Sequence, residues 1–558
     1  MKPGGLALTK RLLSLCAPAK GGKALDVGCG DGRTVNYLRK GLGLDAWGLD
    51  IRPGVGKGLL TGNARALPFE AASFDALIFE CSLSAMDAPD AALAEAARVL
   101  KPQGTLYIAD LYAPGSPAAL PSPAPPLPWR FEPWEALAGR FARAGLRVVC
   151  FEDHTPELLS YWGRLLFEGA EPCRALPPGF QGAYFLAALE PERFTPQSLA
   201  EYQERKGREA AARAREKSPF YQEGNGGFID AAAIAAQGPR MLCVPLGEIA
   251  RIRTLNSSGT TGAPKRLWFT EGDLERTAAF FAWGMRPLAR SGGRCAIMMS
   301  NDAPGSVADM LRRGLARIGV SSVIHGAIQG PDALSAAAGA DCLVGFPAEI
   351  FWLCRYAPQL RPETVLLSAD YVSDSLIKAL TETWGCRVFT HYGLTETCYG
   401  LAVQCCAQEG HHVRLEDYSV TIIDPQTGEA LPPEQDGEIV LTSLRSEAMP
   451  LIQYRTGDIG SLITRPCGCG SALPRLGKIR GRRENLMRPL HIHGLDDLLF
   501  AQPALNAYRA VLDQGMLRLI IEGTVDERLL AEKLQREIQV SYGPVLPYLG
   551  KRNILMRG

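Results

Sequence analysis

Two segments of this 558-residue sequence combine residue types that can hold phosphate or nucleoside groups. The first, LDVGCGDGRT at 25–34, has the order of a strand, a tight glycine turn and a helix. The second, LNSSGTTGAPKR at 255–266, combines hydroxyls, glycines and a lysine. A glycine turn brings backbone amides close to a ligand at a helix N-terminus, and hydroxyls, amides and a lysine can surround phosphate oxygens. The sequence therefore predicts two separate nucleotide sites.

The first segment places three glycines, Gly28, Gly30 and Gly32, directly after an apolar strand. Asp50 ends the next strand, where it can accept hydrogen bonds from ribose hydroxyls. A dinucleotide fingerprint would have a glycine at the position of Arg33, so that reading is not favoured. The alternatives are an α/β domain whose glycines only make a turn, and a domain that binds its cofactor but transfers nothing.

With Asp26 two residues ahead of Gly28, the segment resembles class I S-adenosylmethionine-dependent methyltransferases. The resemblance continues through GNARALPFEAASFDALIFECSLSAM, AARVLKPQGTLYIAD and GAYFLAALE, and covers about residues 1–190. It implies S-adenosylmethionine as methyl donor, with Asn63 and Ala64 beside the adenine and Glu80 and Cys81 facing the reaction site. The methyl acceptor stays unknown, because no side chain in this half stands out as its base.

The second segment lacks the G-x-x-x-x-G-K-[ST] spacing of nucleoside triphosphatases. Its composition alone is typical of a solvated linker. Three further segments argue against a linker: HYGLTE at 391–396, YRTGD at 454–458 and GKR at 550–552. Together they supply aromatic, acidic and basic side chains.

These segments resemble the adenylate-forming superfamily, and within it the phenylacetate–CoA ligases. Supporting phrases are SPFYQE, EAMPLIQYRTGD and CGCGSALPRLGKIRGR, so the resemblance covers about residues 195–558. It implies that a carboxylate attacks the α-phosphate of ATP, giving an acyl-adenylate and pyrophosphate. By the same resemblance, the loop holds the β- and γ-phosphates through Ser257, Ser258, Gly259, Thr260, Thr261, Gly262 and Lys265.

The resemblance also implies a role for each remaining site residue. The reaction brings two anions together, so Mg²⁺ and cationic side chains must neutralise charge where it develops. The implied roles are Mg²⁺ binding by Glu396, α-phosphate contact by Thr395, adenine stacking by Tyr392, ribose contact by Asp458 with Arg482 nearby, and bridging of carboxylate and α-phosphate by Lys551. Gly393 is implied to lie among the nucleotide-binding residues. A solvated terminal lysine is the alternative for Lys551.

The sequence departs from the ligase family after GRRENL. The family has a glycine-bearing turn there, which lets the small C-terminal domain swing and admits coenzyme A. Here Pro489 stands in that turn, where proline fixes φ and removes an amide donor. Adenylation is therefore expected, while the acyl acceptor stays open between coenzyme A, a carrier protein and an amine.

Two clusters of possible metal ligands occur in VQCCAQEGHH and PCGCGS. They contain Cys405, Cys406, His411, His412, Cys467 and Cys469. Three thiolates and one imidazole make a closed tetrahedral structural zinc site, and buried free thiols near a solvated histidine pair are the alternative. The resemblance to phenylacetate–CoA ligases favours Cys405, His412, Cys467 and Cys469 as the ligands.

Alternating strand and helix patterns predict an α/β fold class throughout. We predict that the chain divides into three domains. They are a Rossmann-like methyltransferase domain at 1–192, a large adenylate-forming α/β domain at 193–480 and a small, shortened α+β domain at 481–558. The proline-rich run at 113–129 is interpreted as an insertion within the first domain rather than a linker.

Composition and charge further restrict the class of protein. A net charge of +1 gives no basic excess for nucleic acid, and the sequence has no apolar run of about 18 residues that could cross a membrane. The 15 cysteines without a secretory signal are typical of reduced thiols, so we expect a cytoplasmic protein. The expected partners are a small-molecule carboxylic acid and a methyl acceptor, and a homodimer is left open.

The most economical hypothesis is a bifunctional enzyme in which a methyltransferase is fused to an acyl-adenylating ligase. The rivals are adenylation with transfer to a carrier protein or an amine, and a chain in which one half is a non-catalytic nucleotide-binding scaffold.

Overall fold

The structure is a computed structural model that describes residues 2–113, 129–168, 182–224, 227–255, 264–299, 304–328, 332–488, 490–545, 552 and 554–557. The chain divides into two compact units. The first comprises Met1–Thr195 with Pro466–Leu473, and the second comprises Pro196–Arg465 with Pro474–Gly558. The predicted division into three domains stays a prediction.

The first unit is built on a seven-stranded sheet with the order β3-β2-β1-β4-β5-β7-β6. Its strands are β1 (Lys23–Val27), β2 (Asp45–Asp50), β3 (Leu59–Thr61), β4 (Phe74–Glu80), β5 (Leu100–Tyr112), β6 (Leu146–Asp153) and β7 (Ala183–Pro191). Its helices are α1 (Gly5–Leu15), α2 (Arg33–Leu42), α3 (Pro89–Val99), α4 (Trp134–Arg143) and α5 (Thr155–Phe167).

The parallel part of this sheet positions the candidate site residues. Strands β1 to β5 pair in parallel, as the alternating pattern from Lys23 to Leu111 predicts. The strands β1 and β4 are almost continuously buried because both of their faces are covered. Because β1, β2 and β4 run parallel, their carboxyl ends meet at one edge of the sheet. The last residues of these strands are Val27, Asp50 and Glu80. Strand β7 runs antiparallel to both β5 and β6.

The second unit begins with helices and a short hairpin, followed by a nine-stranded sheet ordered β11-β10-β12-β13-β14-β15-β16-β21-β20. The leading elements are α6 (Pro196–Lys217), α7 (Pro219–Gln222), α8 (Ala231–Gln237), β8 (Arg251–Leu255) and β9 (Lys265–Phe269). The sheet region contains α9 (Glu271–Met285), β10 (Arg294–Met298), α10 (Val307–Arg317), β11 (Ser321–Ile324), α11 (Asp332–Ala337), β12 (Cys342–Gly345), α12 (Pro347–Tyr356), β13 (Thr364–Leu367), α13 (Asp374–Trp384), β14 (Arg387–Tyr392), β15 (Ala402–Gln404), β16 (His411–Val413), β20 (Leu462–Ile463) and β21 (Arg475–Leu476).

Local sequence determines where α9 begins. Thr270 accepts a hydrogen bond from the Asp273 amide at 3.1 Å, and the Asp273 carboxylate accepts one from the Thr270 amide at 3.1 Å. This reciprocal pair is a capping box, which satisfies two amides at a helix N-terminus. It fixes the start of the helix that covers the sheet next to β14 and β15.

Two four-stranded sheets complete the second unit, ordered β17-β18-β19-β22 and β25-β24-β23-β26. The first contains β17 (Tyr418–Ile423), β18 (Gly437–Ser443), β19 (Tyr454–Gly460) and β22 (Gly481–Arg482). The remaining elements are α14 (Arg483–Leu486), α15 (Ile492–Leu499), β23 (Leu505–Asp513), β24 (Met516–Gly523), α16 (Glu527–Leu534), β25 (Ile538–Tyr542) and β26 (Leu555–Arg557). The antiparallel pair β17–β18 forms a hairpin.

The C-terminal elements share one hydrophobic cluster with the large sheet. Side chains of α12 and α13 pack in it with those of α15, β23 and β24. The rings of Phe351 and Phe500 lie 4.7 Å apart, and the buried Arg552 pairs with Asp496. The C-terminal segment is therefore joined to the large sheet by a continuous core.

Helices that could cross a bilayer do not occur in the described parts of the chain.

Candidate functional site

The glycine turn after β1 leaves no space for a side chain at its first glycine. Gly28 has a φ of 83°, and its amide donates to the Leu49 carbonyl at 2.7 Å. A Cβ atom at this position would lie 2.5 Å from Cβ of Ser82. Both the positive φ and the contact distance exclude other residues. The turn therefore places backbone amides, rather than side chains, at the edge of the sheet.

Asp50 and the residues after β3 lie at the same edge. The Asp50 carboxylate accepts from the amides of Gly30 and Arg52, each at 2.9 Å. Asp50 is paired in register with Thr61, so Asn63 and Ala64 follow just beyond that edge. Asn63 is exposed and Ala64 is half-buried. Gly32 directly precedes α2, which completes the strand–turn–helix order. The structure thus brings the predicted donor-site residues of the first unit together.

Asp26 and Glu80 form an acidic pair beneath this edge. Burial, reinforced by the negative charge of Glu80, raises the pKa of Asp26 to about 8. Glu80 accepts from Thr9 at 2.8 Å and from Thr34 at 2.7 Å, and it is ion-paired with Lys2. The Glu80 carboxylate therefore holds α1 and α2 against the sheet, a role that the sequence did not indicate.

Cys81 lies directly after β4 in a left-handed conformation, with a φ of 53°. Its Sγ is 3.2 Å from the hydroxyl of Tyr184. Burial, with the negative charge of Asp110 as the next contribution, raises the pKa of the thiol to about 12. Cys81 is therefore a neutral thiol at physiological pH, so it does not offer a thiolate nucleophile.

In the second unit, an ion pair joins the glycine-rich segment to the HYGLTE segment. Lys265, the first residue of β9, places Nζ 2.5 Å from Oε1 of Glu396. The hydroxyl of Tyr454 donates to the same oxygen at 2.6 Å. The residues Ser257, Ser258, Gly259, Thr260, Thr261 and Gly262 lie outside the described residues.

Glu396 stays ionised despite its burial. Burial alone would raise its pKa, but the charge of Lys265 and the hydrogen bonds from Lys265 and Tyr454 outweigh burial and hold the pKa below its ordinary value. Both contacts use Oε1. A buried carboxylate that remains charged is a suitable ligand for Mg²⁺, which prefers carboxylate oxygens.

A second group of side chains lies where β14, β19 and β22 meet. The Tyr392 hydroxyl donates to Oδ2 of Asp458 at 2.7 Å, and Nε of Arg482 is 2.9 Å from Oδ1. Asp458 and Arg482 are register partners across β19 and β22. The three residues that the sequence assigned to adenosine contacts are thus brought together by hydrogen bonds.

The HYGLTE turn itself is tightly constrained. A Cβ atom at Gly393 would lie 1.9 Å from the carbonyl oxygen of Tyr399, so only glycine fits there. Thr395 is half-buried and begins the 3-10 turn Thr395–Thr397, which contains Glu396. The turn therefore holds Tyr392 and Glu396 at fixed positions on either side of Gly393.

Lys551 and Pro489 both lie outside the described residues, so their roles stay predictions. The neighbouring Arg552 is described. Its backbone amide donates to Asp370 at 3.1 Å, and its buried guanidinium pairs with Asp496. The position after Lys551 is therefore anchored to the loop that follows β13.

Cys405, His412, Cys467 and Cys469 form a buried group whose ligand atoms all lie within 4.8 Å of one another. Cys405 follows β15, His412 lies in β16, and Cys467 and Cys469 lie between β20 and β21. Three thiols and an imidazole at this separation suit a tetrahedral zinc ion. His411 instead forms a hydrogen bond with Thr390 at 2.7 Å. His412, and not His411, therefore belongs to this group of ligand atoms.

Tyr454 is a site residue to which the sequence reading gave no role. It begins the YRTGD segment, and its fully buried side chain reaches Glu396. The sequence does contain a signal for this role. Tyr454 starts a strand that also carries Asp458, and side chains four residues apart share one face of a strand.

Two family profiles match the chain. The profile described as a methyltransferase domain matches residues 25–108, and the profile of AMP-binding enzymes matches residues 255–445. These ranges contain the glycine turn of the first unit and the HYGLTE segment of the second.

Curated relatives match each half separately. A phenylacetate–coenzyme A ligase of Thermus thermophilus is 28% identical over 400 residues, which cover 62% of this chain and 85% of that protein. A phenylacetate–coenzyme A ligase of Pseudomonas putida is 27% identical over 44% of this chain and 58% of that protein. An uncharacterized methyltransferase of Bacillus subtilis is 34% identical over 137 residues, 22% of this chain and 55% of that protein. The chain thus spans only about half the length of these last two relatives.

A solved structure supports the fold of the second unit. A 2-hydroxyisobutyryl-CoA ligase in complex with 2-HIB-AMP superposes with a TM-score of 0.54 at 16% identity, covering 64% of this chain and 88% of that one. With the two profiles, this likeness confirms the predicted fold class: a Rossmann-like methyltransferase sheet followed by domains of the adenylate-forming type.

Proposed function

We propose that this chain, in which a methyltransferase domain precedes an AMP-binding domain resembling phenylacetate–CoA ligases, activates a carboxylic acid with ATP and transfers a methyl group from S-adenosylmethionine. The ligase reaction converts a carboxylate and ATP into an acyl-adenylate and pyrophosphate. The observation that carries this proposal is the convergence of Lys265, Glu396 and Tyr454 beside Tyr392 and Asp458.

Each residue has a distinct task in adenylation. The carboxylate oxygen of the substrate attacks the α-phosphorus, and the bond to the pyrophosphate oxygen breaks. Lys265 offsets negative charge on the departing phosphates, and Asp458 accepts from the ribose hydroxyls while Tyr392 contacts the adenine. Glu396 would hold Mg²⁺, which when bound would lower the repulsion between the two anions. Lys551 would bridge carboxylate and α-phosphate.

Methyl transfer requires alignment more than acid–base chemistry, because the sulfonium donor is already activated. The amides at Gly28 to Gly32 would contact the amino-acid part of the donor, and Asp50 would accept from its ribose. Asn63 and Ala64 would border the adenine.

The acyl acceptor is proposed to be coenzyme A, with a carrier protein or an amine as the alternative. One observation favours the alternative. The C-terminal segment shares a continuous core with α12 and α13, which opposes a rotation that would admit coenzyme A. Acceptor choice is therefore tested separately from adenylation.

A panel of carboxylic acids assayed for ATP–pyrophosphate exchange tests the ligase proposal. At least one acid should support exchange, and Lys551→Ala should lower the rate by about 10²-fold or more, the range for removing one such electrostatic contact. Adding coenzyme A, or hydroxylamine as a model amine, then identifies the acceptor class. A chain that binds ATP but exchanges pyrophosphate with no acid would instead be a nucleotide-binding scaffold.

We also propose that Cys405, His412, Cys467 and Cys469 bind one structural zinc ion. Cys467→Ser should lose the metal and lower Tm by several degrees, because metal binding adds to the stability of the folded state. Cys406→Ser, next to Cys405 but outside the group, is the matched control. Metal analysis of freshly purified protein that finds no zinc would rule out the site.

A further inference from the structure

A narrow apolar cavity lies beside the HYGLTE segment, between α9, α10 and the nine-stranded sheet. Its lining includes the side chains of Phe280, Phe281, Met285, Met299 and Val403. Aromatic, thioether and aliphatic groups offer contact area but no polar recognition. Such a surface suits the uncharged body of a carboxylic acid.

Only two of the described lining residues have polar side chains, His391 and Ser368. Nδ1 of His391 lies 2.9 Å from Oγ of Ser368. Nε2 of the same ring is buried and has no hydrogen-bond partner. Burial and the neighbouring His411 lower the pKa of His391 to about 3, so the ring is a neutral imidazole with one donor and one acceptor nitrogen.

An unpaired buried nitrogen is costly. A buried polar group without a partner loses its hydration and gains nothing in return, so native structures pair nearly all such groups. Leucine or phenylalanine at this position would fill the same space without that cost. The imidazole is therefore best explained by a partner that arrives with the ligand.

The position of His391 connects the cavity to the adenylation residues. His391 is the residue before Tyr392 on β14, and its register partner is Val403 on β15. The rings of Phe280 and Phe281 lie 6.2 and 5.8 Å from the His391 ring. The HYGLTE segment thus contributes His391 to the cavity and Tyr392 to the proposed adenylation site.

We propose that the acid has an apolar body with one uncharged hydrogen-bonding substituent, such as a hydroxyl, and that His391 with Ser368 selects it. This inference rests on the proposed adenylation and deepens it by naming the substrate class. A hydroxyl suits either tautomer of His391, because it both donates and accepts. A site that pairs a substrate hydroxyl discriminates against the analogue that lacks it, since the polar groups of the site are then left unpaired.

Calorimetric titration of the full-length protein with matched pairs of acids tests this inference without requiring turnover. The probes are benzoic and phenylacetic acids that carry a hydroxyl or a methyl group at the same ring position, added with a non-hydrolysable ATP analogue. At least one hydroxylated acid should bind about 10-fold or more tightly than its methyl partner, the effect of one lost buried hydrogen bond.

Two variants identify the residue responsible. His391→Leu should bring the ratio of the two affinities close to one, whereas His391→Gln, which keeps hydrogen-bonding atoms, should retain part of the preference. Both affinities are measured on the same variant, so a general loss of stability does not change their ratio. Ser368→Ala provides an independent variant if His391→Leu does not fold.

The outcomes separate this inference from the proposed function. Equal affinities for every pair in the native protein, or a preference unchanged in both His391→Leu and Ser368→Ala, would overturn the selection by His391. A preference for the hydroxylated acid without pyrophosphate exchange would uphold the binding site and refute adenylation instead.

Discussion

The two candidate nucleotide sites use different parts of the polypeptide. In the first unit, the candidate site is built on backbone geometry: Gly28 has a positive φ, and the Gly30 amide is held by Asp50 at 2.9 Å. In the second unit, the candidate site is built on charged side chains: Lys265 is 2.5 Å from Glu396, and Arg482 is 2.9 Å from Asp458. The first site is thus fixed by shape and the second by electrostatic pairing.

The two proposed reactions account for this difference. Methyl transfer moves a group from a cationic donor and needs close, aligned contact. Adenylation brings anions together and needs charge compensation in a buried setting. We therefore expect substitutions that add atoms to impair the first site most. Substitutions that remove a charge should impair the second site most.

The largest effect should come from removing one charge in the second site. Glu396→Gln keeps the shape of the side chain but removes its charge, so pyrophosphate exchange should fall by about 10²-fold or more. Tyr454→Phe removes only the hydrogen bond to Glu396 and should cost about 10-fold. Binding of S-adenosylmethionine should remain unchanged in both variants.

Glu382→Gln is the matched control for that experiment, because Glu382 is an exposed glutamate on α13. It should exchange pyrophosphate at the native rate. An equal loss in Glu382→Gln, or none in Glu396→Gln, would contradict a site governed by charge.

An intermediate effect is expected when one methyl group is added to the glycine turn. Gly28→Ala places a Cβ 2.5 Å from that of Ser82, so it should lower Tm and weaken S-adenosylmethionine binding by about 10-fold or more. The second substitution Ser82→Gly removes the opposing atom and should restore part of both losses. Thermal melts and calorimetry measure the two effects.

Gly30→Ala is the sharper control, since a Cβ there has no neighbour within 4 Å. It should cost only the strain of a positive φ, about 1–2 kcal/mol, while its methyl group occupies space at the turn where we expect the ligand. If Gly28→Ala and Gly30→Ala have the same effect on Tm, the packing against Ser82 does not constrain the turn.

The smallest effect distinguishes the two tasks of Asp50. Asp50→Ala should weaken S-adenosylmethionine binding about 10-fold and leave ATP binding unchanged, whereas Asp50→Asn keeps an oxygen for the Gly30 amide and should lose less. Asp45→Ala, at the exposed start of the same strand, is the control. Loss of both S-adenosylmethionine and ATP affinity in a folded variant would refute two independent sites.

Much of the fold and part of the site could be predicted from the sequence. Buried strands such as β1 and β4 are short apolar runs between turn signals, and Asp458 and Arg482 lie in segments that carry the resemblance to phenylacetate–CoA ligases. The contact between Asp458 and Arg482 was harder to predict from the sequence, because it depends on the register of β19 against β22.

Contacts between distant segments were not predictable. Lys2, Thr9 and Thr34 meet Glu80 only because α1 and α2 pack beside the end of β4. The unpaired nitrogen of His391 likewise depends on side chains from α9 and the sheet. No local pattern encodes such contacts, because each partner is chosen by tertiary packing rather than by spacing along the chain.

The shared hydrophobic cluster has a consequence for how the protein is made. Strand β26 pairs in parallel with β23, Arg552 pairs with Asp496, and Ile554 packs against a cluster whose first members lie near residue 296. During synthesis at about 5–20 residues per second, the early part of that cluster is exposed for tens of seconds before its last strand leaves the ribosome. The second unit must therefore finish folding after translation of this strand, and we expect it to depend on chaperones more than the first unit does.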